Sequence, residues 1–212
     1  MNTRTLYPHN VAEMLHRGDV KLANATWKNL PNYANTEKNV LTVIDTSGSM
    51  FTGSPMAVDV SISMGIYFAE RIKGEFKNHL ISFSRNPQLI KVENSTFDSA
   101  YRYVRKRAEG FNTNIDAVFE LILNTAINKD IPQHEMPEML LLISDMQFDQ
   151  GVRSSENFQK RWEEAFAFAG YKLPTIVYWN VNARGNQSPV TMDKKGTILV
   201  SGASPIAFKY IL

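Results

Sequence analysis

The run Val40-Leu41-Thr42-Val43-Ile44 carries no charge and no polar alternation, and it stops on an aspartate. A strand that faces water on one side alternates; this one does not, so it reads as a short strand buried on both faces. Such a strand belongs in a sheet with helices on both sides, which narrows the fold to the layered α/β class. Asp45 then stands at the carboxyl end of a central strand, the edge at which open α/β sheets bind ligands. Thr46-Ser47-Gly48-Ser49-Met50 follows at once. Asp45, Ser47 and Ser49 offer three oxygens from one tight loop. Hard cations such as Mg²⁺ take such donors: one or two carboxylates, neutral oxygens and water.

The rest of the chain repeats the strand-then-helix rhythm. Val58, Ile62, Ile66 and Ala69 recur at helical spacing within Met56 to Lys73. Leu80 to Phe83 is a second strand. Gln88 to Val92 is a third, short one beyond the Asn86-Pro87 turn, expected as a hairpin edge. Helices follow over Ser99 to Ala108 and Ile115 to Asn128. Met139 to Ser144 is the most apolar strand after the first, and it too ends on an aspartate, Asp145. A helix over Asn157 to Ala169, strands over Thr175 to Asn180 and Thr197 to Val200, and a terminal helix opened by Ser204-Pro205 complete the pattern. The expectation is a doubly wound, Rossmann-like α/β fold. Its sheet is mostly parallel, with helices on both faces and one short antiparallel edge strand. With strand order 3-2-1-4-5-6, Asp45 and Asp145 flank the point where the order reverses. Thr113, in the loop before the helix that feeds the fourth strand, reaches the same crevice. Residues 1–38 differ in texture and are expected to form an arm, or the remnant of a preceding helical module, with the main domain at 39–212. Val11, Met14, Leu15, Val20 and Leu22 hint at weakly amphipathic helices there.

Asp45-Thr46-Ser47-Gly48-Ser49, then Thr113, then Asp145 after Ile143-Ser144 resemble the metal-ion-dependent adhesion site (MIDAS) of von Willebrand factor A (vWA) domains. Within that superfamily, Val40 to Met50 and Ser201-Gly202-Ala203-Ser204-Pro205 look most like the A domain of Ro/TROVE-type RNA-binding proteins and their uncharacterised relatives. The resemblance implies that Asp45, Ser47, Ser49, Thr113 and Asp145 surround Mg²⁺ or Mn²⁺, some directly and some through water. It also implies that a partner protein's carboxylate takes the remaining coordination position, and that the domain binds rather than catalyses. In Ro-type proteins a ring of helical repeats precedes the A domain and binds RNA; 212 residues cannot hold such a ring as well.

Other readings carry their own expectations. Taken alone, Ser47 and Ser49 would serve to cap a turn. Haloacid-dehalogenase-type phosphatases also place an aspartate after the first strand, and Asp145 with Asp149 has the spacing of their later acidic pair. Their chemistry needs a general acid two residues after the nucleophile. That position is Ser47 here, which cannot serve. Asp149 is read as outlying or exposed, and Asp116 as a helix-capping carboxylate rather than a ligand. Tyr101 to Arg107 is the one basic run interleaved with aromatics; Arg102, Arg105 and Arg107 suit a weak RNA contact, although such a run is more often a solvated helix face.

Composition bounds the rest. Net charge is +2, so no global field draws the chain to nucleic acid. There are no cysteines, which excludes thiol catalysis and thiolate metal sites and favours an intracellular setting. No apolar run approaches the ~20 residues of a membrane span, so a cytoplasmic protein is expected. The histidines at 9, 16, 79 and 134 show no pair at zinc-ligand spacing.

Overall fold

The computed structural model describes residues 6–34, 37–93, 96–108, 114–146, 156–181 and 196–211. Six strands form one sheet: β1 (Val40–Asp45), β2 (His79–Phe83), β3 (Leu89–Lys91), β4 (Met139–Ser144), β5 (Thr175–Asn180) and β6 (Thr197–Ser201). Their order is β3-β2-β1-β4-β5-β6. Every pairing is parallel except β2 with β3. The doubly wound sheet with an antiparallel edge strand, expected from the strand-helix rhythm, is what the chain adopts, and the architecture is vWA-like. All six residues of β1 and all six of β4 are buried, as uncharged unalternating runs require.

Helices cover both faces. Val40 and Ile44 of β1 and Leu141 and Ile143 of β4 point to one face, where α3 (Ala57–Arg71) and α4 (Phe97–Arg107) pack. Leu41, Val43, Leu140 and Leu142 point to the other, under α5 (Ile115–Asn128) and α6 (Glu156–Phe168). The alternation follows from the two-residue period of a strand. The helix α3 lies close to the sheet because Gly65 lets it; a Cβ there would sit 2.3 Å from Ile44 Cγ2. Polar groups trapped in that contact find partners. Ser61 Oγ donates to the Ile143 carbonyl at 3.1 Å, and Thr42 Oγ1 to the Gly65 carbonyl at 3.4 Å.

The described residues before β1 include two helices, α1 (Pro8–His16) and α2 (Val20–Lys28). Val11, Ala12, Leu15, Ala23 and Trp27 are buried and join the same core cluster as α3 and α4. Trp27 stacks on Phe97 with ring centroids 4.0 Å apart, and its Nε1 donates to Glu70 at 2.8 Å. Leu22, one of the apolar residues that hint at amphipathic helix, is 55% exposed. Ala23 and Trp27 occupy the inner face of α2 instead. Ser204 caps the final turn as expected, accepting from the Ile206 N–H at 3.3 Å, but that turn is a 3₁₀ helix (Pro205–Tyr210).

Candidate metal centre

The β1 strand carries Asp45 to the carboxyl edge of the sheet with its side chain fully buried. Two neighbours fix the carboxylate. The Ser47 backbone N–H donates to Asp45 Oδ1 at 2.8 Å, the short-range turn that aspartate favours. Ser144 Oγ, at the end of the adjacent strand β4, donates to Asp45 Oδ2 at 2.6 Å. Ser144 is itself fixed, accepting the Met146 N–H at 3.0 Å. Met146 holds a left-handed φ of 64°, rare for a residue with a side chain; backbone strain of this kind gathers at functional loops. It directly follows Asp145, which is 6% exposed. On the β1 side, Ser47 and Ser49 bring their hydroxyl oxygens to 3.2 Å of each other. Thr46 Oγ1 donates to the Ala108 carbonyl, tying the end of α4 to this loop.

Asp45, Ser47, Ser49 and Asp145 therefore lie at neighbouring strand ends, at the switch point between β1 and β4. Thr113 and Asp149 fall outside the described residues. Burial pushes the Asp45 carboxyl up to about 6. Hydrogen bonds from Ser144 and Ser47 oppose that rise, and the Asp145 charge adds to it. Among the described residues no lysine or arginine forms an ion pair with Asp45. Two buried carboxylates repel each other through a medium that screens poorly. A divalent cation would relieve both burdens, and the donors suit a hard one. Two carboxylates with neutral hydroxyls leave room for water, the pattern Mg²⁺ favours over an all-protein cage. Among the described residues no three or more His, Asp or Glu side chains gather as a metal cage. The fit thus rests on two carboxylates and hydroxyls together.

Ser144 was not anticipated. Its only signal was its position, a lone hydroxyl closing an otherwise apolar strand beside Asp145. Asp116 does not cap α5. Asn114 does, its side chain accepting from the Ala117 N–H at 3.2 Å, while the Asp116 carboxylate takes Arg161 and, at 2.7 Å, Trp162 Nε1. On α4, Tyr101 turns inward and donates to Asp59, and Arg107 lies 4.6 Å from the centroid of Tyr103. Arg102, Lys106 and Arg107 are exposed. Arg105 sits 5.8 Å from the Phe51 ring, beside the loop that follows β1. His79 and His134, distant in sequence, line one cavity of about 440 Å³ with Glu75, Asp130 and Glu135. It adjoins the start of β2 and the segment before β4, the sheet edge away from Asp45. Among the described residues no helix is long and apolar enough to cross a membrane.

A family model described as "Domain of unknown function (DUF7788)" matches residues 39–212. The chain is 32% identical over 222 residues to "Uncharacterized protein L728" of Acanthamoeba polyphaga mimivirus; the match covers all of this chain and 38% of that protein. Among solved structures it resembles the Ro (RSR) protein of Deinococcus radiodurans, with a TM-score of 0.54 and 15% identity over 89% of this chain and 36% of that one. That likeness is one of fold. The chain spans well under half the length of both proteins.

Proposed function

The chain belongs to the DUF7788 family, and from that premise we propose that it is a divalent-metal-dependent protein-binding domain of the MIDAS type, acting in the cytoplasm. Asp45, Ser47, Ser49 and Asp145, with Thr113, hold Mg²⁺ or Mn²⁺, and an aspartate or glutamate of a partner protein completes the coordination. The observation that carries this is the pairing of buried Asp45 and Asp145 at the switch point with, among the described residues, no lysine or arginine ion-paired to Asp45. The bound ion supplies a Lewis-acidic position for an anionic oxygen. The chain's own residues orient that position. Ser144 and the Ser47 N–H hold the Asp45 carboxylate still, and the 3.2 Å pair of hydroxyls presents two neutral donors. Two carboxylates balance a divalent ion without excess negative charge, so a further carboxylate is still attracted.

Binding is favoured over phosphoryl chemistry by the same geometry. Ser47 occupies the place where a phosphatase needs its general acid, and its hydroxyl pairs with Ser49. A weak RNA contact through Arg102, Arg105 and Arg107, as part of a Ro/TROVE-like RNA-associated protein, is a second reading, favoured by the exposure of Arg102 and Arg107 on α4. Capture of partners from cell extract tests the main reading. Partners are expected to be lost with EDTA, restored by Mg²⁺ or Mn²⁺, and lost with Asp45→Ala. Partners that survive both treatments contradict it. So does hydrolysis of p-nitrophenyl phosphate that disappears in Asp45→Asn.

A further inference from the structure

The lip of the metal loop carries features that the ion does not require. Phe51 closes the 3₁₀ turn (Gly48–Phe51) that contains Ser49, and it is 47% exposed. Met56, on the same connection to α3, is 38% exposed. Arg105 reaches the lip from α4, whose end is pinned to the loop by the Thr46–Ala108 hydrogen bond. Its guanidinium is steadied from two sides. The Phe51 ring lies 5.8 Å away. The Tyr101 hydroxyl is near enough to feel its charge; burial and then Asp59 raise the Tyr101 pKa, and Arg105 lowers it. Among the described residues Arg105 makes no ion pair with a carboxylate. A pre-positioned arginine forms stronger contacts with a carboxylate than a mobile one, since less freedom is lost on binding.

We propose that Phe51, Met56 and Arg105 form a specificity rim, and that the partner is an extended acidic segment carrying two carboxylates with an apolar residue between them. One carboxylate meets the ion, the apolar residue packs on Phe51 and Met56, and the second carboxylate meets Arg105. The spacing follows from chain geometry. Ser49 and Phe51 are two residues apart, at most about 7 Å, and Arg105 lies one ring contact further. A strand rising about 3.4 Å per residue covers that span in roughly three or four residues. This inference rests on the metal reading above and adds the class of partner to it.

The test uses the full chain in Mn²⁺ and two fluorescein-labelled nonapeptides built from glycine, serine and alanine. One has a single central glutamate. The other has that glutamate, a second three residues on, and a leucine between. Fluorescence anisotropy is expected to give about tenfold tighter binding for the second peptide, the scale of one charge-assisted hydrogen bond with modest burial. Arg105→Gln is expected to erase most of that ratio and Phe51→Ala to reduce it about threefold. In calorimetry both variants should bind Mn²⁺ within about threefold of wild type, since neither residue is a ligand. Equal affinity for the two peptides, no peptide binding by Mn²⁺-loaded protein, or a ratio that survives both substitutions overturns the rim while leaving the metal reading intact. If Arg105→Gln instead weakens only a labelled single-stranded U-rich RNA, the end of α4 serves RNA and the proposal fails. Absence of Mn²⁺ binding by wild type overturns both readings.

Discussion

Asp45 and Asp59 are both buried, 0% and 3% exposed, and the chain surrounds them differently. Asp59 lies in the first turn of α3, a helix with no side-chain cap, where a carboxylate opposes the helix dipole favourably. It receives His16 Nε2 at 3.0 Å from α1 and the Tyr101 hydroxyl from α4. Both of its oxygens are thus bound by side chains from elements that pack around it. Among the described residues Asp45 receives a backbone amide and serine hydroxyls but no lysine, arginine or histidine, and a second carboxylate stands nearby. A buried carboxylate met by its own fold is a fastening. One left beside a like charge is where, on the metal reading proposed above, a cation from outside would bind.

The contrast can be broken most forcefully at Asp59. Asp59→Ala leaves the buried Tyr101 hydroxyl without its acceptor and loosens α1 from α3. Urea unfolding should show a loss of about 2 kcal/mol, the scale of an unmade buried hydrogen bond. Mn²⁺ affinity at folded conditions should not change. A large loss of Mn²⁺ affinity with full stability would mean that Asp59, not Asp45, serves the ion. The next effect is smaller. Ser144→Ala removes the hydroxyl that orients Asp45 Oδ2, and supporting groups of this kind change metal affinity about 10-fold or more. The melting temperature in EDTA should barely move. Unchanged Mn²⁺ affinity would show that Asp45 needs no such support.

The mildest probe is pH. The folded Asp45 carboxyl lies at about 6, above its ordinary 3.8. Between these values the folded metal-free protein holds a proton that the unfolded chain has lost. This group's contribution to metal-free stability is therefore full below about pH 4 and disappears as pH rises through 6. Metal binding needs the carboxylate and runs the other way. The rise in melting temperature from Mn²⁺ over EDTA should be small at pH 5 and full by pH 7.5. A rise that is constant across that range contradicts the role given to Asp45.

Much of this is legible in the sequence. β1, β4 and β5 are legible because strands buried on both faces run largely apolar and uncharged along their length. The strand order is the common one for a sheet of this class; given it, Asp45 and Asp145, which close the two most apolar runs, flank the switch point, and the β1–β4 pairing makes them neighbours. Ser144 was hidden because a serine inside a strand carries no period; only the register across to Asp45 gives it a role. The seat of the arm was hidden for a related reason. Its inner face uses His9, Ala12 and Ala23, residues too small or too polar to stand out, while the conspicuous Leu22 faces outward. Arg105 looked like part of a solvated basic face. Its place over Phe51 depends on how α4 lies across the sheet, which no local pattern encodes.

The most direct measurement is a calorimetric titration of Mn²⁺ into wild-type protein and Asp45→Ala at pH 7.5, with both shown to be folded by circular dichroism. Wild type should bind one equivalent, and Asp45→Ala should bind at least about 100-fold more weakly, because the oxygens that remain include only one of the two carboxylates. Equal binding by the two proteins, or none by wild type, contradicts a metal centre built on Asp45.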